Sequence, residues 1–311
     1  MRNLVLASVA FATLASAPAA ATTLYVFGDS LVDAGNVAIA TGNTTPNPAQ
    51  GYYQGRFNNG LNYVDYLNQT LNGTNTVASL AGGTNFAWGG SRAIGNAYGG
   101  FPTPGLPQQL GGYLAATGGA ADPNGLYVIN FGGNDLFGIA SGDTGGLTPT
   151  QVVNLLIGNT VGAVQALSAG GAGKILVTGI PVGGAQGMAI DGLLQAALTA
   201  VEPTLSAKLY RFSYIDFYTR FAADPTAYNF PAVVNYNTPC RAAQPVVNGN
   251  INCTGYFSFD GTHFTAQVQR GIARDVIQLL AVPEPSNWAM LIAGFGLVGA
   301  VMRRQRRAVA A

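Results

Sequence analysis

Short, almost continuously apolar runs alternate with longer segments of helical periodicity, and this alternation limits the folds that the chain can adopt. Four runs have strand character, at residues 24–27, 126–131, 175–178 and 212–217. The first three are apolar at nearly every position, as strands are when helices cover both faces of a sheet. The pattern therefore predicts an α/β domain with a mostly parallel sheet.

The segments between these runs place their apolar residues at helical spacing. Helices are predicted at residues 62–68, 149–168, 191–210 and 265–280. Segments rich in Gly, Asn and Pro are predicted loops, at residues 41–60, 89–112 and 225–255. Ligands of open α/β sheets bind beyond the carboxyl ends of the strands, so the residues that follow each strand are the first candidates for a site.

Both ends of the chain have the patterns of targeting segments. Residues 1–21 combine an early positive charge, an apolar run and an Ala-x-Ala site, which is typical of a secretory signal peptide. Residues 282–311 combine Pro-Glu-Pro, a charge-free apolar stretch and an arginine cluster. The stretch is short for a bilayer crossing, so a buried core helix is the alternative, but the flanking prolines and arginines favour a membrane anchor. Residues 22–281 are then the predicted domain, of a size that suits one core.

The chain is poor in charge and in metal-binding side chains. Only 9% of residues are charged and the formal net charge is +1, which argues against nucleic acid as a partner. His263 is the one histidine, and without a Cys-x-x-Cys or EF-hand pattern we expect neither a metal nor a cofactor. Cys240 and Cys253 are predicted to form one disulfide in an exported protein, with two free thiols as the alternative.

Two of the predicted strands are followed by motifs that suit acyl-transfer chemistry. Gly-Asp-Ser-Leu at residues 28–31 puts Ser30 on a strand-to-helix turn, where backbone N–H groups can hold an oxyanion. Gly-Gly-Asn-Asp at residues 132–135 would let Asn134 aim its amide at developing negative charge. In isolation, each is also an ordinary turn sequence.

Asp260 precedes the one histidine by three residues. That separation places both side chains on the same side of a turn, where Asp260 can accept a hydrogen bond from the His263 ring. The other ring nitrogen could then take a proton from Ser30. A lone histidine more often has a structural role, and its combination with the acid and the serine is what favours a nucleophilic site.

Taken together, these motifs resemble those of the SGNH hydrolases, also called GDSL esterases and lipases. Residues 27–36 are similar to the long first block of the plant-type lipases and bacterial outer-membrane esterases. Residues 85–91, 132–135 and 260–263 match the other three blocks in family order. The resemblance implies a three-layer α/β/α sandwich with a mostly parallel, flavodoxin-like sheet.

The resemblance also implies a role for each matching residue. Ser30 matches the nucleophile, His263 the general base and Asp260 its orienting partner. The oxyanion hole would consist of the Ser30 and Gly90 amides and the Asn134 side chain. The implied function is that of an exported serine esterase or lipase that hydrolyses carboxylic esters through an acyl-enzyme. The alternatives are an acyltransferase or deacetylase acting on exopolysaccharide, and a non-catalytic surface binding protein on the same fold.

The C-terminal segment resembles the PEP-CTERM sorting tail of Gram-negative bacteria. This resemblance implies recognition by an exosortase-type protease and transient membrane anchoring. The expected location is the periplasm, the cell surface or the extracellular matrix. The expected substrate is a lipid, a small acyl ester or an acylated polysaccharide.

Overall fold

A computed structural model describes residues 22–95 and 102–281, in which four parallel strands form one sheet. The strands are β1 (Leu24–Gly28), β2 (Leu126–Asn130), β3 (Lys174–Thr178) and β4 (Lys208–Phe212), adjacent in that order. A parallel bridge between Val26 and Asn85 extends the sheet beyond β1. Counted with that segment, the order is the 2-1-3-4-5 of flavodoxin-like sheets. The predicted signal peptide (1–21) and tail (282–311) lie outside the described residues.

Helices flank the sheet in the described ranges. They are α1 (Asn36–Ala40), α2 (Tyr63–Asn72), α3 (Leu106–Ala116), α4 (Gly133–Ser141), α5 (Pro149–Ala169), α6 (Gly184–Val201), α7 (Tyr214–Ala223), α8 (Cys240–Ala243) and α9 (Ala266–Ala281). Single 3₁₀ turns lie at Pro48–Gln50, Ser79–Ala81, Glu202–Thr204 and Pro225–Tyr228. Capping boxes fix two helix starts, at Asn62 before α2 and at Thr148 before α5.

Adjacent residues of each strand enter different cores because strand side chains alternate between the two faces of a sheet. Val26 and Val128 pair in register and join the core that packs against α2, α7 and α9. Phe27 and Ile129, the next pair, join the core that packs against α3, α5 and α6. Two helical layers thus enclose one sheet, and the predicted three-layer α/β/α sandwich is confirmed.

The strand predicted at residues 212–217 is wrong. The strand β4 ends at Phe212, and the Ser213 side chain caps α7 by accepting a hydrogen bond from the Asp216 N–H. Tyr214, Phe217 and Phe221 are then buried at helical spacing. The aromatic run is therefore the inner face of a helix, which a short apolar stretch cannot reveal by periodicity alone.

The helix predicted at residues 191–210 starts too late and continues too far. The observed helix α6 begins at Gly184, and Asp191 lies inside it rather than at its N-terminus. The buried Asp191 carboxylate accepts a hydrogen bond from the Ile180 N–H, 2.9 Å away, so it ties the helix to the end of β3. The predicted loop at residues 89–112 is also partly wrong, because α3 begins within it at Leu106.

Cys240 and Cys253 form the predicted disulfide. Both cysteines are buried with Phe259 in a small cluster of their own. Phe259 directly precedes Asp260 in the sequence. The disulfide therefore packs beside the turn that carries the candidate acid and base.

Candidate active site

Three side chains from opposite ends of the domain meet beyond the carboxyl end of β1. The Ser30 Oγ lies 2.8 Å from His263 Nε2. On the other side of the ring, His263 Nδ1 lies 2.7 Å from Asp260 Oδ2. The structure thus brings the predicted serine, histidine and aspartate into one hydrogen-bonded line.

The Asp260 carboxylate is fixed by donors on both oxygens. Its Oδ1 accepts from the backbone N–H groups of Thr262 and His263, at 3.0 and 2.8 Å. Its Oδ2 accepts from the Tyr52 hydroxyl at 2.7 Å as well as facing the His263 ring. Burial alone would raise the pKa of Asp260, but the bonds and charge of His263 and the Tyr52 bond outweigh it and hold that pKa well below its usual range. The carboxylate is therefore ionised whenever the histidine gains a proton.

The turn that carries Ser30 is tied to the 85–91 block by buried polar groups. The Asp33 carboxylate accepts from the N–H groups of Gly35 and Asn36 and, across the loop, from that of Gly89 at 3.0 Å. The Asn36 amide donates to the carbonyls of Asn85 and Ala87. These motif residues therefore hold the backbone of the two blocks together.

Gly28 leaves no room for a side chain at the end of β1. A Cβ there would lie 2.3 Å from Val32 Cγ2 and 2.9 Å from the Asn130 carbonyl oxygen. The turn can therefore fold back over the strand end only with glycine at this position. This close approach places Ser30 at the mouth of the site.

Asn134 lies in the first turn of α4, and its side chain faces the same pocket. Its Nδ2 donates to the Ser91 carbonyl at 2.9 Å, which ties the α4 start to the residue that follows Gly90. Gly90 itself has a φ of 82°, a left-handed conformation that favours glycine. The Gly89 N–H, in contrast, already donates to Asp33. The structure thus brings Asn134 to the serine and histidine and sets Gly90 beside the Asn134 partner.

The pocket at this site is lined by both polar and apolar residues. The polar lining includes Ser30, Asn134 and His263. The apolar lining consists of Leu31, Phe137, Pro181, Val182 and Phe264. Such a pocket suits a substrate with an apolar group next to the bond that a nucleophile would attack.

Within residues 22–95 and 102–281, no group of three or more His, Cys, Asp or Glu side chains is arranged to hold a metal ion. One residue that contributes to the site, Tyr52, is not predicted from the sequence. Tyr52, which donates to Asp260, lies in a predicted loop 208 residues away along the chain. No local pattern connects the two, so only the folded arrangement could reveal this contact.

Asp29, directly before the candidate nucleophile, is the most perturbed carboxyl at the site. It is 2% exposed, and burial raises its pKa to about 7, against the lowering effects of the Leu31 N–H bond and the His263 charge. Between its unfolded value of 3.8 and about 7, the folded chain holds this proton more tightly than the unfolded chain. The contribution of Asp29 to the free energy of unfolding therefore falls as pH rises through that window.

We expect Asp29→Asn to remove this part of the pH dependence. One pKa unit corresponds to about 1.36 kcal/mol. Between about pH 4 and pH 7, the free energy of unfolding of the wild type should therefore fall by up to about 4 kcal/mol more than that of the variant. Urea denaturation of both proteins at several pH values measures the difference. Parallel stability curves for the two proteins would contradict the raised pKa.

The comparison with known proteins agrees with this architecture. The sheet order and the four blocks define the SGNH hydrolase fold. The GDSL-like Lipase/Acylhydrolase family matches residues 24–276. The chain therefore belongs to the GDSL-like lipase/acylhydrolase family, and the predicted resemblance is confirmed.

Two further matches extend the comparison. The PEP-CTERM protein-sorting motif matches residues 281–307, which confirms the second predicted resemblance and indicates an exported, sorted protein. The chain is also 35% identical over 161 residues to "Lipase 1" of Photorhabdus luminescens. That match covers 51% of this chain and 22% of the lipase, so the chain spans about a fifth of that relative.

Proposed function

We propose that this protein is an exported serine esterase or lipase that hydrolyses carboxylic esters. The observation that carries the proposal is the line of contacts from Ser30 Oγ through the His263 ring to Asp260 Oδ2, with spacings of 2.8 and 2.7 Å. Membership of the lipase/acylhydrolase family and the likeness to "Lipase 1" support an ester as the substrate.

The reaction would use the three side chains in two steps. Ser30 Oγ attacks the ester carbonyl while His263 Nε2 takes its proton, and Asp260 stabilises the imidazolium through Nδ1–H. The tetrahedral intermediate then expels the alcohol, which receives that proton, and leaves an acyl group on Ser30. A water molecule attacks the acyl carbonyl while His263 takes its proton, and a second tetrahedral intermediate forms. That intermediate breaks its bond to Ser30 Oγ, which takes the proton back from His263, and releases the carboxylic acid.

The oxyanion of each tetrahedral intermediate would be held by three donors. We assign them to the Ser30 amide, the Gly90 amide and the Asn134 side chain. Gly90 is preferred to Gly89 because the Gly89 N–H is engaged by Asp33. One Asn134 N–H bonds Ser91, which orients the amide and leaves its second N–H for the substrate oxygen.

Labelling with a fluorophosphonate tests the proposal directly. The purified full chain should take up one adduct per molecule, and peptide mass spectrometry should place it on Ser30. The adduct should be lost in His263→Ala, because an unassisted serine hydroxyl is a weak nucleophile. A folded protein that remains unlabelled would contradict the proposal and favour a surface binding protein on the same fold.

A second candidate, acyl transfer to or deacetylation of an exopolysaccharide, uses the same residues. The sorting tail favours it, because the PEP-CTERM resemblance implies export alongside exopolysaccharide and the sorting motif matches residues 281–307. In keeping with that match, we propose residues 1–21 as the export signal and an exosortase-type protease as the processing partner. Product analysis with competing sugar acceptors distinguishes transfer from hydrolysis.

A further inference from the structure

The Tyr52 hydroxyl lies between the Asp260 carboxylate of the site and the Arg241 guanidinium outside it. It donates to Asp260 Oδ2 at 2.7 Å and accepts from Arg241 Nη1 at 2.9 Å. The same Asp260 oxygen faces His263 Nδ1 at 2.7 Å. One chain of hydrogen bonds thus runs from Arg241 through Tyr52 and Asp260 to the histidine and serine.

The donor and acceptor roles in this series of hydrogen bonds follow from the groups that take part. A guanidinium has donors and no acceptor, so Arg241 must donate to the Tyr52 oxygen. The phenol has a single proton, and the Asp260 carboxylate accepts it. Because the Tyr52 oxygen accepts from Arg241, its O–H is left to donate to Asp260 Oδ2. The same Asp260 oxygen orients the His263 ring.

Ring packing holds Tyr52 in this orientation. Its ring stands nearly perpendicular to that of Phe259, at 5.0 Å and 82°. The Arg241 guanidinium lies over the same ring, 5.1 Å from its centroid. Phe57 contacts both the Tyr52 and His263 rings, with centroids 6.4 and 5.3 Å away. The Tyr52 ring is thus packed between the cluster of Cys240, Cys253 and Phe259 on one side and Phe57, which contacts the histidine, on the other.

The disulfide loop holds Arg241 against this assembly. The Cys240 N–H donates to the Ser258 carbonyl at 2.9 Å, and the Arg241 N–H donates to the Phe259 carbonyl at 2.8 Å. Both acceptors immediately precede Asp260. The bond from Cys240 to Cys253 anchors the same turn. The loop is therefore bonded directly to the segment that carries the acid.

We infer that Tyr52 and Arg241 are positioning residues that fix the Asp260 carboxylate for its work on His263. The inference rests on the proposed esterase function. The two residues hold the carboxylate against the ring, and Arg241 places a positive charge next to the Tyr52 oxygen that bonds this carboxylate. Their loss should both slow the reaction and change its pH dependence.

Variants of the full chain test this with p-nitrophenyl acetate as the probe, from pH 5 to pH 9. Tyr52→Phe and Arg241→Met should each lower kcat about tenfold, roughly the effect of one charge-assisted hydrogen bond, and change KM less than twofold. The pH dependence of their kcat/KM should differ from that of the wild type. Arg241→Lys, which keeps the charge and a donor, should recover most of the rate.

Two matched control variants distinguish the loss of a positioning contact from a general loss of packing. Tyr256→Phe removes another phenol of the same cluster, whose oxygen accepts from Gln244 at 2.8 Å. Arg270→Met removes a guanidinium that lies over the Tyr66 ring at 5.2 Å. Both should keep the wild-type rate and pH profile. Asp29, the other acid whose charge interacts with His263, remains unchanged in every variant.

The outcomes separate this inference from the function on which it rests. An unchanged kcat and pH profile in Tyr52→Phe and Arg241→Met, with Ser30→Ala inactive, would overturn only the positioning role. An equal loss in Tyr256→Phe would overturn it as well. Retained activity in Ser30→Ala would overturn the proposed function itself. If Tyr52→Phe fails to fold, the Arg241→Met and Arg241→Lys pair decides the question.

Discussion

Replacing Ser30 by alanine should lower kcat by at least about 10⁴-fold while the protein stays folded. The hydroxyl is the group that contacts His263 Nε2, and alanine offers no nucleophile in its place. Because Ser30 is only partly buried, the loss of its hydroxyl should change the melting temperature little. Hydrolysis of p-nitrophenyl acetate and a thermal melt measure the two quantities.

Two further variants sharpen that experiment. Residues that act as one unit do not lose activity additively, so Ser30→Ala combined with His263→Ala should be hardly worse than Ser30→Ala alone. Ser141→Ala, at the end of α4, removes a hydroxyl that bonds the Gly138 carbonyl and should keep full activity. A Ser30→Ala protein within tenfold of the wild-type rate would show that another group carries the reaction.

Asn134→Ala should lower kcat by about 10²–10³-fold and change KM little. A donor aimed at the oxyanion stabilises the transition state more than the bound ester, so its removal affects the chemical step. The Ser91 carbonyl holds the Asn134 amide in place before substrate binds, and the donor therefore needs no reorganisation during the reaction. Steady-state kinetics on two esters with the same acyl group measure both constants.

Asn159→Ala is the matched control for that variant. Its Nδ2 donates to the Ala93 carbonyl at 2.8 Å, so it supports the same loop from α5 without lining the pocket. Its kcat should stay within about twofold of the wild type. An equal fall in both variants would mean that loop displacement, and not a lost oxyanion donor, explains the effect.

The residues of the site could be predicted from the sequence more accurately than the boundaries of the helices and strands that carry them. Ser30 follows a fully apolar strand, and parallel strands end at one edge of the sheet, so its place was set by the strand pattern. Asp260 and His263 share a turn, which makes their contact a local property of the sequence. The Ser30–His263 contact joins distant segments. Its prediction rests on the combination of the serine turn with the one histidine and its acid, and the family resemblance implies the same contact.

The errors have physical causes. The stretch from Phe212 to Phe217 is apolar and aromatic, so a strand end and a helix start look alike there, and the Ser213 cap decides between them. The helix α4 begins at Gly133, inside the Gly-Gly-Asn-Asp motif, and no helix is predicted there because glycine has a low helix propensity. The contact of Tyr52 with Asp260 depends on tertiary packing alone, and no local sequence pattern indicates it.

The line of contacts at this site closes only when the first and last thirds of the domain have met. Ser30 comes from the turn after β1, whereas the acid and base come from the turn before α9, where His263 lies 233 residues from the serine. A partly folded molecule has the serine but lacks its base. Covalent capture of Ser30 would therefore count native molecules in a mixed population, as an active-site titration of folding yield.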